Sequence, residues 1–338
     1  MLIESINKLI LGKDLTEQEI TLTLNEIMGD SVKPSLVSSF LTALKIKGET
    51  VEEITGGARV LRNKCSLVDL EDLYTIDTCG TGGDNSNSFN ISTAVAFVAA
   101  SAGIAVVKHG NRSVTSKSGS ADVLEALGAN ILLSPSQVKH CVLKHNIGFM
   151  FAPSFHSAMK YVAETRKDLG FRTIFNILGP LANPASAKAQ VLGVYDENLT
   201  EPLAHVLKEL GTKHALVVHG MDGIDEITTT TNTKITELKD GLIFTYYIDP
   251  ENFSIPRSEK EDFSGGDAAT NAEIIKSIFL GEPGPKRDIL VFNSAAALYV
   301  GNKVSNLEEG ITLASNLLDT GVVYKKLQDY INETRNFL

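Results

Sequence analysis

The stretch that decides the fold is TIDTCGTGGDNSNSFNIST, residues 75–93. It opens with a strand-like pattern, continues through the glycines of residues 80–84, and closes on residue types that commonly begin helices. A helix start carries unpaired backbone N–H groups and a partial positive charge, and glycine lets the backbone approach an anion closely. This strand, loop and helix order predicts a phosphate-binding turn. An ordinary capped helix is the alternative interpretation.

A second glycine-containing loop, KHGNRSVTSKSGS, follows at residues 108–120. It contains the cations Lys108, Arg112 and Lys117, and many of its other residues carry hydroxyl, amide or imidazole groups. A strand is predicted before it, and a helix is predicted to begin at Ser120 with Asp122 in its first turn. A solvated surface loop would be the alternative. Together, the two loops predict a site for a phosphorylated sugar.

The arrangement of apolar residues predicts an α/β protein with a helical beginning. Thr16 and Glu19 form a capping pair for one of several helices predicted before residue 65. From residue 74 onward, strand-like and helical segments alternate, which indicates a mostly parallel central sheet. Further elements are expected as strands at 129–133, 147–151, 189–194 and 215–219, a β-hairpin arm at 228–236, and a buried helix at 288–300.

These elements predict two domains. The first is a small helical domain at residues 1–66, with residues 157–185 packing back on it. The second is a larger α/β domain made of residues 73–156 and 186–338.

The composition favours an ordinary globular protein that binds neither nucleic acid nor a membrane. The chain has 338 residues, is 43% hydrophobic and has a formal net charge of −10. An acidic chain would need a local basic patch to bind DNA or RNA. Its apolar runs are shorter than the roughly 18 residues of a membrane span. Three cysteines without a CxxC spacing argue against a disulfide framework or structural zinc and favour the reducing cytoplasm.

The segment GMDGIDE, residues 220–226, places Asp225 and Glu226 just after a predicted strand. Adjacent carboxylates in such a position often bind Mg²⁺, which prefers oxygen ligands. A solvated acidic turn is the alternative, and the metal interpretation gains weight because two phosphate loops precede the pair. Cys79 is interpreted as a small buried residue and not as a nucleophile.

Several longer motifs occur together along the chain: GTGGD with NIST (80–84 and 90–93), KHGNR with SKSGSADVLEALG (108–112 and 116–128), FAPSFHSAMK (151–160), RTIFNILGPLANPA (172–185), HGMDGIDE (219–226) and NSAA (293–296). This combination resembles the anthranilate phosphoribosyltransferase family, and the resemblance spans nearly the whole chain. It implies a nucleoside-phosphorylase-type fold, a homodimer formed through the helical part, and a role in tryptophan biosynthesis. It also admits an anthranilate synthase or glutamine amidotransferase subunit as a partner.

The resemblance implies that phosphoribosyl pyrophosphate and anthranilate are the substrates. The binding residues that it implies are Gly80, Gly83, Asp84, Ser88, Asn90, Ile91, Ser92, Thr93, Lys108, His109, Gly110, Asn111, Arg112, Ser113, Val114, Thr115, Ser116 and Ser120. Asn111 and Arg166 match positions that contact anthranilate, and His109 lies near its path. Two residues depart from the family pattern, with Ser88 where Thr is usual and Ser157 where Pro is usual.

By the same resemblance, two Mg²⁺ ions bind in each active site. Ser92 and Glu226 would hold one ion, and Asp225 and Glu226 the second. The ions, Lys108 and the loop N–H groups would neutralise the departing pyrophosphate. Arg166 would pair with the anthranilate carboxylate in a forked contact. The catalytic residues expected on this basis are Lys108, Asn111 and Arg166.

Two other functions are compatible with parts of these patterns. A pyrimidine nucleoside phosphorylase would share the fold and a phosphate loop but would cleave nucleosides with inorganic phosphate. A non-enzymatic relative that binds nucleic acid would be expected to have a basic groove and a degraded metal site. The acidic pair at residues 225–226 and the long KHGNR loop favour a diphosphate substrate over nucleoside phosphorolysis. The acidic chain, which keeps Asp225 and Glu226, argues against the nucleic-acid-binding relative.

Overall fold

The computed structural model describes residues 1–29, 32–84, 86–113 and 117–337, and this chain begins with a bundle of helices. The helices are α1 (Leu2–Ile10), α2 (Glu17–Ile27), α3 (Pro34–Lys47) and α4 (Val51–Lys64). Capping boxes begin α2, where Thr16 pairs with Glu19, and α4, where Thr50 pairs with Glu53. The capping pair predicted at residues 16 and 19 is therefore confirmed.

The α/β part follows in chain order. Its first half contains β1 (Thr75–Gly80), α5 (Ile91–Ser101), β2 (Ala105–Gly110), α6 (Ser120–Leu127), α7 (Pro135–His145), β3 (Ile147–Phe151), α8 (Ala152–Phe155), α9 (Lys160–Leu169) and α10 (Ile174–Leu181). Its second half contains β4 (Ala189–Gly193), α11 (Thr200–Glu209), β5 (His214–Gly220), β6 (Thr233–Lys239), β7 (Leu242–Ile248), α12 (Ala268–Phe279), α13 (Pro285–Val300), α14 (Leu307–Asp319) and α15 (Val322–Arg335).

The strand order places the loops that carry the chemistry at one edge of the sheet. The strands lie in the order β3-β2-β1-β4-β5-β6-β7. Pairing is parallel from β3 through β5, and β6 and β7 are added antiparallel. The chain runs outward from β1 in one direction and from β4 in the other, so the order reverses between these two strands. In open α/β sheets, ligands bind beyond the carboxyl ends of the strands at such a reversal.

Two hydrophobic cores support this arrangement. The larger core surrounds α5 and α13, which are buried almost throughout and pack against each other. The second core joins apolar residues of α1–α4 with Val162 of α9, residues of α10 such as Leu178, and one face of β4 and β5. This second core is compatible with the predicted return of residues 157–185 to the helical domain, and the domain boundaries themselves stay a prediction.

Two of the expected strands differ in the structure. Residues 129–133 form no strand, because the backbone N–H of Asn130 donates to Thr334 and its side chain accepts from Leu132, which replaces a strand ladder with a local turn. The hairpin expected at 228–236 begins only at Thr233. The hydroxyls of Thr228 and Thr230 bond to Asp222 instead, a local side-chain pairing that competes with strand formation.

Within the described ranges, no helix is both long enough and apolar enough to cross a membrane.

The C-terminal helix α15 is tied to α7 by one carboxylate. Glu333 accepts hydrogen bonds from Lys144 and His140 at 2.7 Å each and from His145 at 3.3 Å. Lys144 first, and then His140, lower the pKa of Glu333 from its ordinary 4.5 to about 2. A carboxyl group whose pKa is lower in the folded state stabilises the fold above its unfolded pKa and loses this contribution as the pH falls.

We therefore predict that Glu333→Gln lowers the melting temperature at neutral pH. The difference from the wild type should shrink as the pH falls from about 4.5 to about 2, because the wild-type carboxylate is protonated over that interval. Thermal unfolding followed by circular dichroism at a series of pH values measures this difference. A difference that is independent of pH would mean that the charge of Glu333 does not stabilise the contact.

Candidate active site

The site is built from three segments that meet at the carboxyl ends of β1, β2 and β5. They are the glycine loop, described at residues 81–84 and 86–90, the basic loop, described at residues 111–113 and 117–119, and the acidic turn at residues 221–228. Gly80 and Gly193 pair in register where β1 and β4 end, and the N–H of Thr81 donates to the Gly193 carbonyl at 2.9 Å. The sheet therefore continues into the first loop at the position where the strand order reverses.

Lys108 is the buried cation at the centre of the site. It lies near the end of β2, is 3% exposed, and directs its ammonium group across β1. Nζ donates to the Thr78 carbonyl and, at 3.3 Å, to the Ser92 hydroxyl. Burial lowers the pKa of Lys108, while the negative charges of Asp77 and Glu226 oppose that shift. The lysine thus links β1, β2 and the start of α5 through one charge.

Asp77 lies in β1 as a buried counter-charge for Lys108. Burial raises the pKa of Asp77 to about 6, and Lys108 acts in the opposite direction. Its Oδ2 accepts a hydrogen bond of 2.7 Å from the Asn183 amide, which also donates to the Val107 carbonyl at 2.7 Å. Sequence reasoning missed Asp77 as a functional residue. The available signal was a carboxylate inside an apolar strand directly before a glycine loop.

The acidic turn is pressed against the two facing glycines. A β carbon at Gly80 would overlap the Asp225 carboxylate, and one at Gly193 would overlap the Asp225 carbonyl. The Gly82 N–H donates to Asp225 Oδ2 at 2.8 Å, and the Asp225 N–H lies 3.5 Å from Asp84 Oδ2. Glycine is therefore required at the ends of β1 and β4, because any larger residue would push the acidic turn away.

Three carboxylates converge here with Lys108 as the nearby cation. Burial and the charge of Asp84 raise the pKa of Asp225. Burial and the charge of Asp225 raise the pKa of Glu226, while Lys108 and a hydrogen bond from the Ser92 backbone oppose that rise. Carboxylates that repel one another in this way are stabilised by a cation. Their hard oxygen donors fit a divalent ion such as Mg²⁺.

A protein-only metal cage is absent from the described residues. No group of three or more His, Cys, Asp or Glu residues in those ranges is arranged to hold a metal ion. Mg²⁺ usually keeps several waters and binds through one or two carboxylates together with substrate phosphates. The donor set therefore fits an ion that arrives with a phosphorylated substrate.

The start of α5 is not an ordinary capped helix. Asn90 occupies the N-cap position, but its side chain makes no capping hydrogen bond. Its amide instead donates to the Ser118 carbonyl at 3.1 Å and accepts from Asn271 at 2.9 Å. The cap residue thus joins the two loops, and the first-turn N–H groups of α5 have no side-chain acceptor from the N-cap. This arrangement suits an anion better than the capped-helix alternative does.

The second loop is held by Asp122 in the first turn of α6. Asp122 Oδ2 accepts from the N–H groups of Ser113 and Gly119 at 2.9 and 2.8 Å. Arg112 pairs with Asp122 at 3.0 Å and also with Glu125, so its guanidinium lies against α6. Helix α6 begins at Ser120 as expected from the sequence. Val114, Thr115 and Ser116, which the sequence places in the binding set, lie outside the described residues.

The remaining binding residues occupy the walls of the two loops. Ser88 forms a β-bridge with Ser264, and the Ser120 hydroxyl donates to the Asn111 carbonyl at 3.4 Å. A β carbon at Gly110 would meet the Ser120 hydroxyl, and one at Gly83 would lie 2.9 Å from the Arg172 guanidinium. Ile91 and Thr93 are buried in the first turn of α5.

Arg166 lies on α9, away from these direct contacts. Its guanidinium is 5.4 Å from the centre of the Phe175 ring, and burial lowers the pKa of this arginine. Within the described ranges, no carboxylate forms an ion pair with it. The group is therefore available to an anionic ligand.

Two histidines pack together between the loops and the helical segments. The ring centres of His109 and His156 are 4.9 Å apart, and neither Nε2 atom has a hydrogen-bond partner among the described residues. Burial lowers the pKa of His109 to about 3 and that of His156 to about 4, so both rings are neutral.

Cys79 is held as a thiol. Burial raises its pKa well above the ordinary value, and Gln190 donates to its sulfur at 3.0 Å. A thiol that resists ionisation is a poor nucleophile, which supports the interpretation that Cys79 is not a nucleophile. The side chain is only partly buried, so the expectation of a buried residue is met in part.

The fold and the site define a glycosyltransferase. The sequence model of the glycosyl transferase family, a/b domain, matches residues 73–324, and that of the family's helical bundle domain matches residues 3–65. The chain is 58% identical to the anthranilate phosphoribosyltransferase of Acetivibrio thermocellus over 338 residues, which covers 100% of this chain and 98% of that protein. The chain belongs to the anthranilate phosphoribosyltransferase family.

Solved structures agree with this assignment. The anthranilate phosphoribosyltransferase of Thermus thermophilus aligns with a TM-score of 0.92 and 37% identity over 98% of this chain and 99% of that one. The Saccharomyces cerevisiae enzyme in complex with PRPP and Mg aligns with a TM-score of 0.91 and 28% identity over 99% of this chain and 98% of that one. The α/β fold with a small helical N-terminal part, predicted from the sequence, is confirmed.

The close contact at Gly193 yields a stability prediction. Gly193→Ala forces the Asp225 carbonyl away from β4, and overpacking of this kind costs about 1–3 kcal/mol. Gly179→Ala is the matched control, because the space around Gly179 in α10 is open. Urea unfolding of both variants measures the change. Equal stability of the two variants would show that the acidic turn adapts without cost.

Proposed function

We propose that this chain transfers the phosphoribosyl group of 5-phosphoribosyl 1-pyrophosphate to the amine of anthranilate, releasing pyrophosphate, in tryptophan biosynthesis. The observation that carries the proposal is the convergence of Lys108, the start of α5 and the Asp225–Glu226 pair of the acidic turn at the carboxyl ends of the strands. A diphosphate needs this combination, in which positive charge and a helix N-terminus lie beside a place for a divalent ion.

The leaving pyrophosphate gains negative charge as the bond to the sugar breaks. Lys108 and the N-terminus of α5 are already fixed in the folded chain, so the ammonium charge and the helix dipole stabilise the leaving group without reorganising. Gly82 and Gly83, in the loop that precedes this helix, are both at positive φ, which allows the backbone to approach an anion closely.

Mg²⁺ is the metal that these residues suit. The Saccharomyces cerevisiae relative has been solved in complex with PRPP and Mg. We propose two ions in each active site, one held by Ser92 and Glu226 and the other by Asp225 and Glu226. The ions would supply positive charge to the pyrophosphate oxygens. The mutual repulsion of Asp84, Asp225 and Glu226 supports this assignment, since bound cations would relieve it.

Anthranilate would bind beside the sugar, with Asn111 and Arg166 as its contacts. The Saccharomyces cerevisiae relative has also been solved in complex with 4-fluoroanthranilate. The guanidinium of Arg166 has no ion-pair partner among the described carboxylates and can make two parallel hydrogen bonds to a carboxylate. Neutral His109 lies near the proposed path of the aromatic ring. The arylamine is an uncharged nucleophile, so it needs positioning more than it needs a general base.

We also propose that two copies associate through the helical part. Helix α1 exposes Ile3 and Ile10 at 60% and 68%, and these residues, seven positions apart, lie on the same face. Ile46 of α3 is 82% exposed. Sedimentation equilibrium measures this oligomeric state directly.

The three free cysteines fit the reducing cytoplasm. A complex with an anthranilate synthase or glutamine amidotransferase subunit stays a prediction from the resemblance.

A fluorescence assay of anthranilate consumption tests the proposed function. Consumption should require both phosphoribosyl pyrophosphate and Mg²⁺ and should stop when EDTA removes the metal. Phosphorolysis of thymidine and uridine with inorganic phosphate is the parallel assay. Turnover of a nucleoside without consumption of anthranilate would replace the proposal with a nucleoside phosphorylase activity.

Arg166→Ala should raise the KM for anthranilate by about ten- to a hundredfold, because a hydrogen-bonded contact to a charged group contributes about 1.5–3 kcal/mol. The KM for phosphoribosyl pyrophosphate should change little. Arg166→Lys keeps the charge but loses the forked geometry, so it should restore only part of the affinity. Steady-state kinetics with each substrate varied in turn gives both constants. Unchanged anthranilate kinetics in Arg166→Ala would remove this residue from the substrate site.

A further inference from the structure

A residue of the buried helix α13 hydrogen-bonds to the acidic turn. Asn293 is 1% exposed, and its side-chain amide pairs with both backbone groups of Ile227. The Ile227 N–H donates to Oδ1 at 2.9 Å, and Nδ2 donates to the Ile227 carbonyl at 2.8 Å. Nδ2 also donates to the Ile289 carbonyl at 2.9 Å within the same helix. The amide therefore bonds the turn as a neighbouring strand would.

The acidic turn also packs against the ends of β1 and β4. The Asp225 carbonyl lies against the α carbon of Gly193, and its carboxylate lies against Gly80. Glu226 is thus the residue between two fixed points, one at Asp225 on the sheet and one at Ile227 on α13. Neither of these anchoring contacts depends on a ligand.

Helix α13 is itself immobilised, which makes Asn293 a fixed reference. Residues on every side of α13 are buried, and the helix packs against α5 and the sheet. Helix α14 approaches it so closely that a β carbon at Gly310 would lie 2.9 Å from the Ala295 side chain. A buried amide in such a setting tolerates little displacement, because closely packed interiors have little free volume.

We propose that Asn293 is a positioning residue that sets the geometry of the Asp225 and Glu226 carboxylates toward the metal. It acts through the backbone of Ile227 and touches neither substrate nor ion. This inference rests on the proposed function for the identity of the ligand. It differs from a purely structural role because the loss should fall on metal binding and not on anthranilate binding.

Asn293→Asp is the most informative substitution, because it keeps the shape of the side chain. It replaces an N–H donor with an oxygen that faces the Ile227 carbonyl, so one of the two bonds becomes repulsive. Ser294→Ala is the matched control on the same helix. Ser294 is fully buried, and its hydroxyl has no partner in the described ranges, so its removal leaves the Ile227 contact intact.

Asn293→Asp should raise the Mg²⁺ concentration for half-maximal activity by about ten- to a hundredfold, the usual effect of losing a group that orients metal ligands. The KM for anthranilate should change less than about twofold, and Ser294→Ala should match the wild type in both measurements. Calorimetric titration with magnesium pyrophosphate should show the same loss of affinity. Hydrogen exchange without ligand should be faster at the Ile227 amide in Asn293→Asp.

Unchanged Mg²⁺ dependence and unchanged exchange in a folded Asn293→Asp variant would overturn the proposal. If that variant fails to fold, hydrogen exchange at the Ile227 amide of the wild type tests the proposal. An Ile227 amide that exchanges as fast as the amides of the 240–241 hairpin turn overturns it, and strong protection supports it. A wild type without Mg²⁺-dependent transfer would overturn the proposed function alone, since magnesium pyrophosphate binding and Ile227 exchange would still test Asn293.

Discussion

One buried ammonium group organises the substrate end of this protein. Lys108 lies within the sheet edge, where burial disfavours its charge, and the surrounding structure compensates that cost. A carbonyl of β1 and the hydroxyl of Ser92 accept its hydrogen bonds, while Asp77 and Glu226 supply negative charge. The positions of β1, β2, α5 and the acidic turn are all constrained by the need to keep this one charge satisfied.

The same constraint explains the glycines. If β1, α5 and the acidic turn must all approach the Lys108 ammonium group, their backbones must pass close to one another, and side chains on the inner faces would prevent that approach. Gly80 and Gly193 lie where the acidic turn meets the sheet, and Gly110 lies where the second loop meets Ser120. The glycine motifs are therefore as much a packing requirement between protein segments as a means of approaching a phosphate.

Local patterns revealed much of this from the sequence, and long-range contacts account for the rest. The helix starts at Thr16 and Ser120 depend on neighbouring residues, so their prediction was successful. The strand expected at 129–133 was wrong because Thr334, some two hundred positions away, takes the Asn130 N–H. Helix α10 was not predicted as an element, because its sequence includes Gly179 and Pro180, residue types that disfavour a helix interior.

The same contrast between local patterns and long-range contacts applies to the site. Its loops and acidic pair were predicted from motifs, whereas the partners that fix them were not. Asn183 bonds Asp77 and Asn293 bonds Ile227 across large sequence separations, and neither contact has a local signature. Arg112 was expected to face phosphate, yet its nearest partners are the acidic residues of α6. Such pairings depend on the tertiary fold, which periodicity and spacing do not encode.

The most direct test of this account is calorimetric titration of phosphoribosyl pyrophosphate with Mg²⁺ into Lys108→Met. Methionine preserves the length of the apolar stem but removes the charge that β1, α5 and the acidic turn share. The account predicts that the folded variant binds the ligand at least about tenfold more weakly than the wild type. The exposed substitution Lys167→Met should leave the affinity unchanged. Wild-type affinity in Lys108→Met would contradict the central role of the buried ammonium.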